Sequence, residues 1–117
     1  MKLAADIVIG IVALLHLWFM VLEMFLWDKP FGRRTFAMSV EQAAATKTLA
    51  MNQGLYNGFL AAGLAWALAL GPAGYAVKAF FLLCVLVAGV FGALTASRKI
   101  LWIQAMPAGV ALVLLHL

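Results

Sequence analysis

Four stretches of the chain are long, apolar and nearly free of charge. They cover about residues 3–27, 49–70, 75–97 and 100–117. Polar and turn-forming residues fall in short clusters between them: Asp28-Lys29-Pro30-Phe31-Gly32 with Arg33 and Arg34, then Glu41 to Lys47, then Gly71-Pro72-Ala73-Gly74, then Arg98-Lys99. Roughly 20 apolar residues are needed for a helix to cross about 30 Å of hydrocarbon. Lipid offers the backbone no hydrogen-bond partner, so helices are the economical form. The pattern therefore predicts an all-α integral membrane four-helix bundle, a single four-span domain over residues 1–117.

The breaks carry further detail. Gly71-Pro72-Ala73-Gly74 is a strong breaker. The turn Ser97-Arg98-Lys99 is so short that the third and fourth helices should be antiparallel neighbours. The first connection is longer. Within it, Ser39 followed by Gln42 reads as a capping box, so the second helix should start near Val40 and reach the bilayer through an extension over residues 41–47. Pro107 lacks a backbone donor and should free the Ile103 carbonyl, kinking the last helix beside Gln104.

Composition agrees with this picture and excludes others. Of 117 residues, 68% are hydrophobic and 10% charged, against about 45–50% and about 25% in soluble domains. Disorder requires the opposite composition. The net charge of +4 does not point to nucleic acid, because the basic residues sit between apolar runs. That is where the cytoplasmic ends of membrane helices carry them. Lys29, Arg33, Arg34, Lys47, Arg98 and Lys99 fall on one side, and Lys2 and Lys78 on the other. Six against two puts both termini on the non-cytoplasmic side. Trp27 and Trp102 then mark the cytoplasmic interface, Trp66 and Tyr75 the outer one. The first stretch is too long for a signal peptide, and no small-residue cleavage site follows it. The lone Cys84 is a small buried hydrophobe in this reading.

Polar side chains inside the spans are the candidate chemistry, since they are costly there and tend to face the bundle interior. His16 and Glu23 are seven residues apart, nearly two turns, so they share one face about 10 Å apart along the axis. Asp6, Ile9, Ala13, Met20 and Trp27 lie on the same stripe. The second helix brings Asn52, Gln53, Tyr56 and Asn57 within an arc of about 140°. Gly54 and Gly58 fall outside that arc and form a small-xxx-small packing face. In the third helix Cys84, Ala88, Phe91 and Thr95 follow one line, with Gly89, Gly92 and Ala96 beside it as packing surface. The fourth adds Gln104. Counted from the cytoplasmic helix ends, Glu23 lies about 6 Å deep, the second-helix group about 5–12 Å, Gln104 about 6–8 Å and His16 about 16 Å. The expectation is a polar pocket open to the cytoplasm and floored by His16.

No nucleophile elbow, phosphate loop or zinc helix is present. A Glu–His pair is still capable of acid–base chemistry on a lipophilic substrate. The plainer alternative treats Glu23, Asn52, Gln53 and Asn57 as hydrogen-bonded glue between helices and His16 as a satisfied neutral histidine. Met20, His16 and Cys84 lack paired ligand spacing, so no metal and no cofactor is expected.

The strings His16-Leu17-Trp18-Phe19-Met20-Val21-Leu22-Glu23, Asn52-Gln53-Gly54-Leu55-Tyr56-Asn57-Gly58, Ala88-Gly89-Val90-Phe91-Gly92-Ala93-Leu94-Thr95 and Gln104-Ala105-Met106-Pro107-Ala108 resemble a family of small four-span membrane proteins. That family is grouped as domain of unknown function thirteen-oh-four. The resemblance covers nearly the whole chain. It implies four helices and a place in the bacterial inner membrane, and it implies no reaction. A looser likeness is to small multidrug transporters, which also have four spans and one acidic residue in the first. Glu23 sits nearer an interface than theirs, and the charge bias here is stronger than dual-topology members need.

Three functional expectations follow. In the first, the protein binds or acts on a small lipophilic molecule, with Glu23 as proton acceptor, His16 as relay, and Asn52, Gln53, Tyr56, Asn57, Thr95 and Gln104 orienting the ligand. In the second, a homodimer exports a small molecule in exchange for protons. In the third, the chain is a structural or partner-binding membrane subunit. The lipid bilayer is its partner in all three.

Overall fold

A computed structural model describes residues 2–117. Every regular element among them is helical. In order these are α1 (Lys2–Phe25), α2 (Pro30–Thr35), α3 (Val40–Ala69), a 3-10 turn (Gly71–Gly74), α4 (Tyr75–Thr95), a π turn (Leu101–Ala105) and α5 (Met106–His116). The chain divides into two units. One takes the chain up to Leu14 together with Ala62–Leu117, and the other is Leu15–Ala61.

The Leu15–Ala61 unit is a helical hairpin closed at its turn end by polar contacts. Chain reversal after α1 depends on Gly32, where a Cβ would run into the Leu26 carbonyl oxygen. Pro30 occupies the first turn of α2, where its missing N–H leaves no extra donor unpaired. Phe36, Ala37 and Met38 end α2: the Ala37 N–H donates to the Arg34 carbonyl at 3.3 Å and the Met38 N–H to the Arg33 carbonyl at 2.9 Å. This is a Schellman termination. The expected capping box opens α3. The Ser39 N–H donates to Gln42 Oε1 at 2.9 Å, and the Gln42 N–H to Ser39 Oγ at 3.1 Å. Trp27 Nε1 donates to Thr46 Oγ1 at 3.0 Å, and Lys47 pairs with Asp28 at 3.0 Å. These two contacts tie the end of α1 to the first turns of α3.

The second unit is built on small-residue packing. Gly89 of α4 lies so close to the π turn that a Cβ there would sit 2.6 Å from the Ala105 nitrogen; one at Gly92 would sit 3.0 Å from Ile100. Ala105, Ala108 and Ala111 are buried along the same side of the last helical stretch. Where a kink is expected, a π turn stands just before Pro107, and the Met106 N–H reaches back to the Leu101 carbonyl. One added residue per turn accommodates the backbone donor that proline lacks. Gly71 carries a φ of +60°, a conformation that glycine adopts without steric cost. Lys78, which the sequence places at the outer start of the third stretch, stands inside α4 and is buried. Its ammonium meets Asp6 of α1 at 3.0 Å and donates to the Gly71 carbonyl at 3.2 Å.

Two segments, Lys2–Phe25 and Gly71–Thr95, are long and apolar enough to cross a membrane, with mean hydropathy of 2.3 and 2.4. In α3 the apolar run is interrupted by Asn52, Gln53, Tyr56 and Asn57. The last apolar segment, Leu101–His116, is shorter.

Candidate functional site

Glu23 stands in the last turns of α1 and is buried. The Asn57 carboxamide, reaching across from α3, donates to its Oε1. The sequence positions this contact in two ways. Gly54 and Gly58 lie against α1, where a Cβ at Gly54 would meet Met24 Cγ at 2.7 Å and Glu23 Cβ at 3.0 Å, and one at Gly58 would meet Met20 Sδ at 2.8 Å. With no side chains at these positions, α3 approaches closely enough for the short Asn57 side chain to reach the carboxylate. The seven-residue spacing then puts His16 on the same face of α1 as Glu23. His16 is fully buried and its ring lies edge-on to Phe19, centroids 5.2 Å apart.

The other side chains expected at a shared site are placed as follows. Asn52, Gln53 and Tyr56 are exposed, with the Tyr56 ring against Phe59 at 5.8 Å. Gln104 is half-buried in the π turn and belongs to the other unit. Thr95, also in that unit, is exposed and donates its hydroxyl to the Phe91 carbonyl at 2.7 Å, an ordinary bond to the preceding helical turn. Among the described residues no three His, Cys, Asp or Glu side chains stand together as metal ligands. Two surface depressions lie away from Glu23. One of about 410 Å³ is lined by Met106, Gly109, Val110, Val113 and Leu114. The other, of about 450 Å³, is lined by Val90, Ala93, Leu94, Arg98, Leu101 and Trp102.

One ion pair escaped the sequence reading: the buried Lys78 with the half-exposed Asp6. Asp6 was visible on the Glu23 stripe. Its partner is 72 residues away, and Lys78, close to the Gly71–Gly74 breaker, counts in the sequence only as an outer-side cation.

The Glu23–Asn57 contact joins an acceptor that carries charge when ionised to a neutral donor on a facing helix. Such a bond holds a carboxylate in one orientation and satisfies part of its hydrogen-bonding capacity away from water. The arrangement is suited to receiving a proton or a cationic group.

Both motifs behind this pair lie within the range matched by a family model described as "Protein of unknown function (DUF1304)", which covers residues 10–116. A relative in Lactococcus lactis subsp. lactis (strain IL1403), "Uncharacterized protein YpaA", is 31% identical over 105 residues, 88% of this chain and 88% of its own. No solved structure matches the chain. With the match running nearly end to end and the relative covering the same share of both chains, the chain belongs to the DUF1304 family.

Proposed function

We propose that this chain is a multi-pass protein of the bacterial inner membrane, with four helical passes and both termini on the non-cytoplasmic side. In this reading the Glu23–Asn57 pair is the centre of a cytoplasm-facing polar site that binds a small lipophilic molecule and acts on it by acid–base chemistry. The membrane part is supported by where the apolar surface lies. The most apolar windows of Lys2–Phe25 and Gly71–Thr95 are only 28% and 22% buried within the chain. A core helix of a water-soluble protein would bury most of such a window. Leu3, Leu14, Val87, Phe91 and Leu94 all stand outward, which suits lipid as the solvent.

The site is carried by one observation: a buried carboxyl held by a carboxamide from a facing helix. Glu23 is the proton acceptor or cation partner, Asn57 fixes its orientation, and His16, further along the same face, relays or tunes the proton. The test is ligand-induced thermal stabilisation of the purified protein across a panel of apolar metabolites. Some member should raise the melting temperature of the wild type and leave Glu23→Gln unmoved. If none stabilises the wild type, the ligand-site reading is lost.

A second reading is favoured by the glycine contacts. Gly54 and Gly58 bring α3 against Met20, Glu23 and Met24 closely enough for the pair to act purely as interhelical glue. It then expects cellular phenotype to survive Glu23→Gln and His16→Ala and to be lost in Gly54→Leu.

A further inference from the structure

Asn52, Gln53 and Tyr56 are the part of the α3 motif that the Glu23 site does not use. All three are exposed, and none of their polar side-chain atoms makes a hydrogen bond within the described chain. At 100° per residue they occupy an arc of about 100°, which widens to about 120° with Leu49 and Phe59. Those two flanking side chains are 72% and 55% exposed. Counted from Lys47, the last charged residue before this segment, Asn52 lies about 8 Å and Tyr56 about 14 Å further along the axis. In a membrane-spanning α3 that depth is hydrocarbon, where lipid chains leave two carboxamides and a phenol without partners.

The geometry points to a second copy of this chain as what covers this face: α3 pairs with α3 across a two-fold axis, and Asn52, Gln53 and Tyr56 exchange hydrogen bonds between the copies. Self-complementarity favours this occupant. A carboxamide carries both donors and an acceptor, and a phenol carries one of each, so each group is able to satisfy its own counterpart. In an isologous interface, residues near the axis face themselves. Any charge there would meet its like, and this face has none from Thr48 to Leu70. Leu49, Phe59 and the Tyr56 ring supply the apolar area around the polar centre. Gly54 and Gly58 are already occupied by Met20 and Met24 within the chain. The contact between copies is therefore one of polar and aromatic side chains and not of glycines. It leaves Glu23 and Asn57 inside each copy, so it stands or falls independently of the proposed ligand site.

The test uses the full-length chain in phosphatidylethanolamine–phosphatidylglycerol vesicles, on a Cys84→Ala background. Tyr56→Cys should form a disulfide-linked dimer on mild oxidation, whereas Leu83→Cys, equally outward on α4, should not. Energy transfer between separately labelled copies should show association that weakens roughly tenfold in the triple variant Asn52→Leu/Gln53→Leu/Tyr56→Phe, with helicity by circular dichroism unchanged. Equal cross-linking at positions 56 and 83 overturns the proposal. So does a triple variant that associates like the wild type, or a wild type that is monomeric at every protein-to-lipid ratio.

Discussion

Ala37 holds a φ of +52°, in the left-handed region that non-glycine residues enter at a cost of roughly 1–2 kcal/mol. It is kept there by the two backbone bonds that end α2. Ala37→Gly removes the Cβ penalty and keeps those bonds, while the unfolded chain gains some freedom. The variant should gain about 0.5–1 kcal/mol, read as a higher melting temperature in detergent. A lower one would mean that the Cβ makes a contact worth more than the conformation costs. Nearby, the Lys47 ammonium bonded to Asp28 holds the Asp28 carboxyl below the usual aspartate range. Since the folded value is the lower one, the folded state binds fewer protons than the unfolded state as pH falls past about 3.9. The contribution is therefore full above that pH and is lost as pH drops through the folded value. Comparing melting temperature against pH for the wild type and Asp28→Asn should show a shallower acid loss in the variant, small because the pair is open to water. The sequence made several of these local features legible. Ser39 and Gln42 announced their reciprocal cap, and Gly71 its turn, because such signals depend only on near neighbours. The Asp6–Lys78 pair depends on which helices meet, and no local pattern encodes that.

The helices meet through their glycines, and those glycines are not equivalent. A Cβ at Gly89 would sit 2.6 Å from the backbone nitrogen and 2.8 Å from the Cα of Ala105, whereas one at Gly58 would meet only the flexible Met20 side chain, with Sδ at 2.8 Å. Backbone gives way only by moving a whole element; a methionine changes rotamer. Gly89→Ala should therefore destabilise by about 1–3 kcal/mol, the usual range for overpacking, and Gly58→Ala by clearly less. Denaturant or thermal unfolding of the two variants in the same detergent checks the order, and a reversal would show that the π turn slides more easily than Met20 repacks. The packing role of Gly54, Gly58, Gly89 and Gly92 was readable as spacing along each helix. So was the disturbance at Pro107, although the sequence argued for a kink and not for the π turn that takes its place. The unevenness of the four polar residues of α3 was not readable. All four fit one arc, yet only Asn57 meets Glu23 while Asn52, Gln53 and Tyr56 face outward. An arc of about 140° spans more than one neighbour, and helical period does not say where one neighbour ends.

For the proposed membrane topology, orientation depends on which cations are free to stay in water. Lys78 is not among them: it is 5% exposed, paired with Asp6 and bonded to the Gly71 carbonyl. In the proposed topology, discounting it changes the balance from six against two to six against one, with Lys2 as the remaining outer-side cation. Lys47 still counts on the opposite side, because its side chain is 46% exposed despite the bond to Asp28. The bias rule concerns Lys and Arg near short loops and is little affected by acidic neighbours. A stronger bias predicts one fixed orientation with the connection before α3 and the turn after α4 in the cytoplasm. Single cysteines at the exposed positions Thr35, Ala73 and Ser97, again without Cys84, make this measurable with a membrane-impermeant maleimide. Thr35→Cys and Ser97→Cys should react in inverted membrane vesicles and be shielded in intact spheroplasts, and Ala73→Cys should do the reverse. Mixed labelling of all three would indicate dual orientation. Labelling of Thr35→Cys and Ala73→Cys from one side would mean that the Asn52–Asn57 segment does not cross. That second result would also remove the hydrocarbon from around Asn52, Gln53 and Tyr56, so the placement of α3 in lipid is the premise on which the pairing of two copies depends.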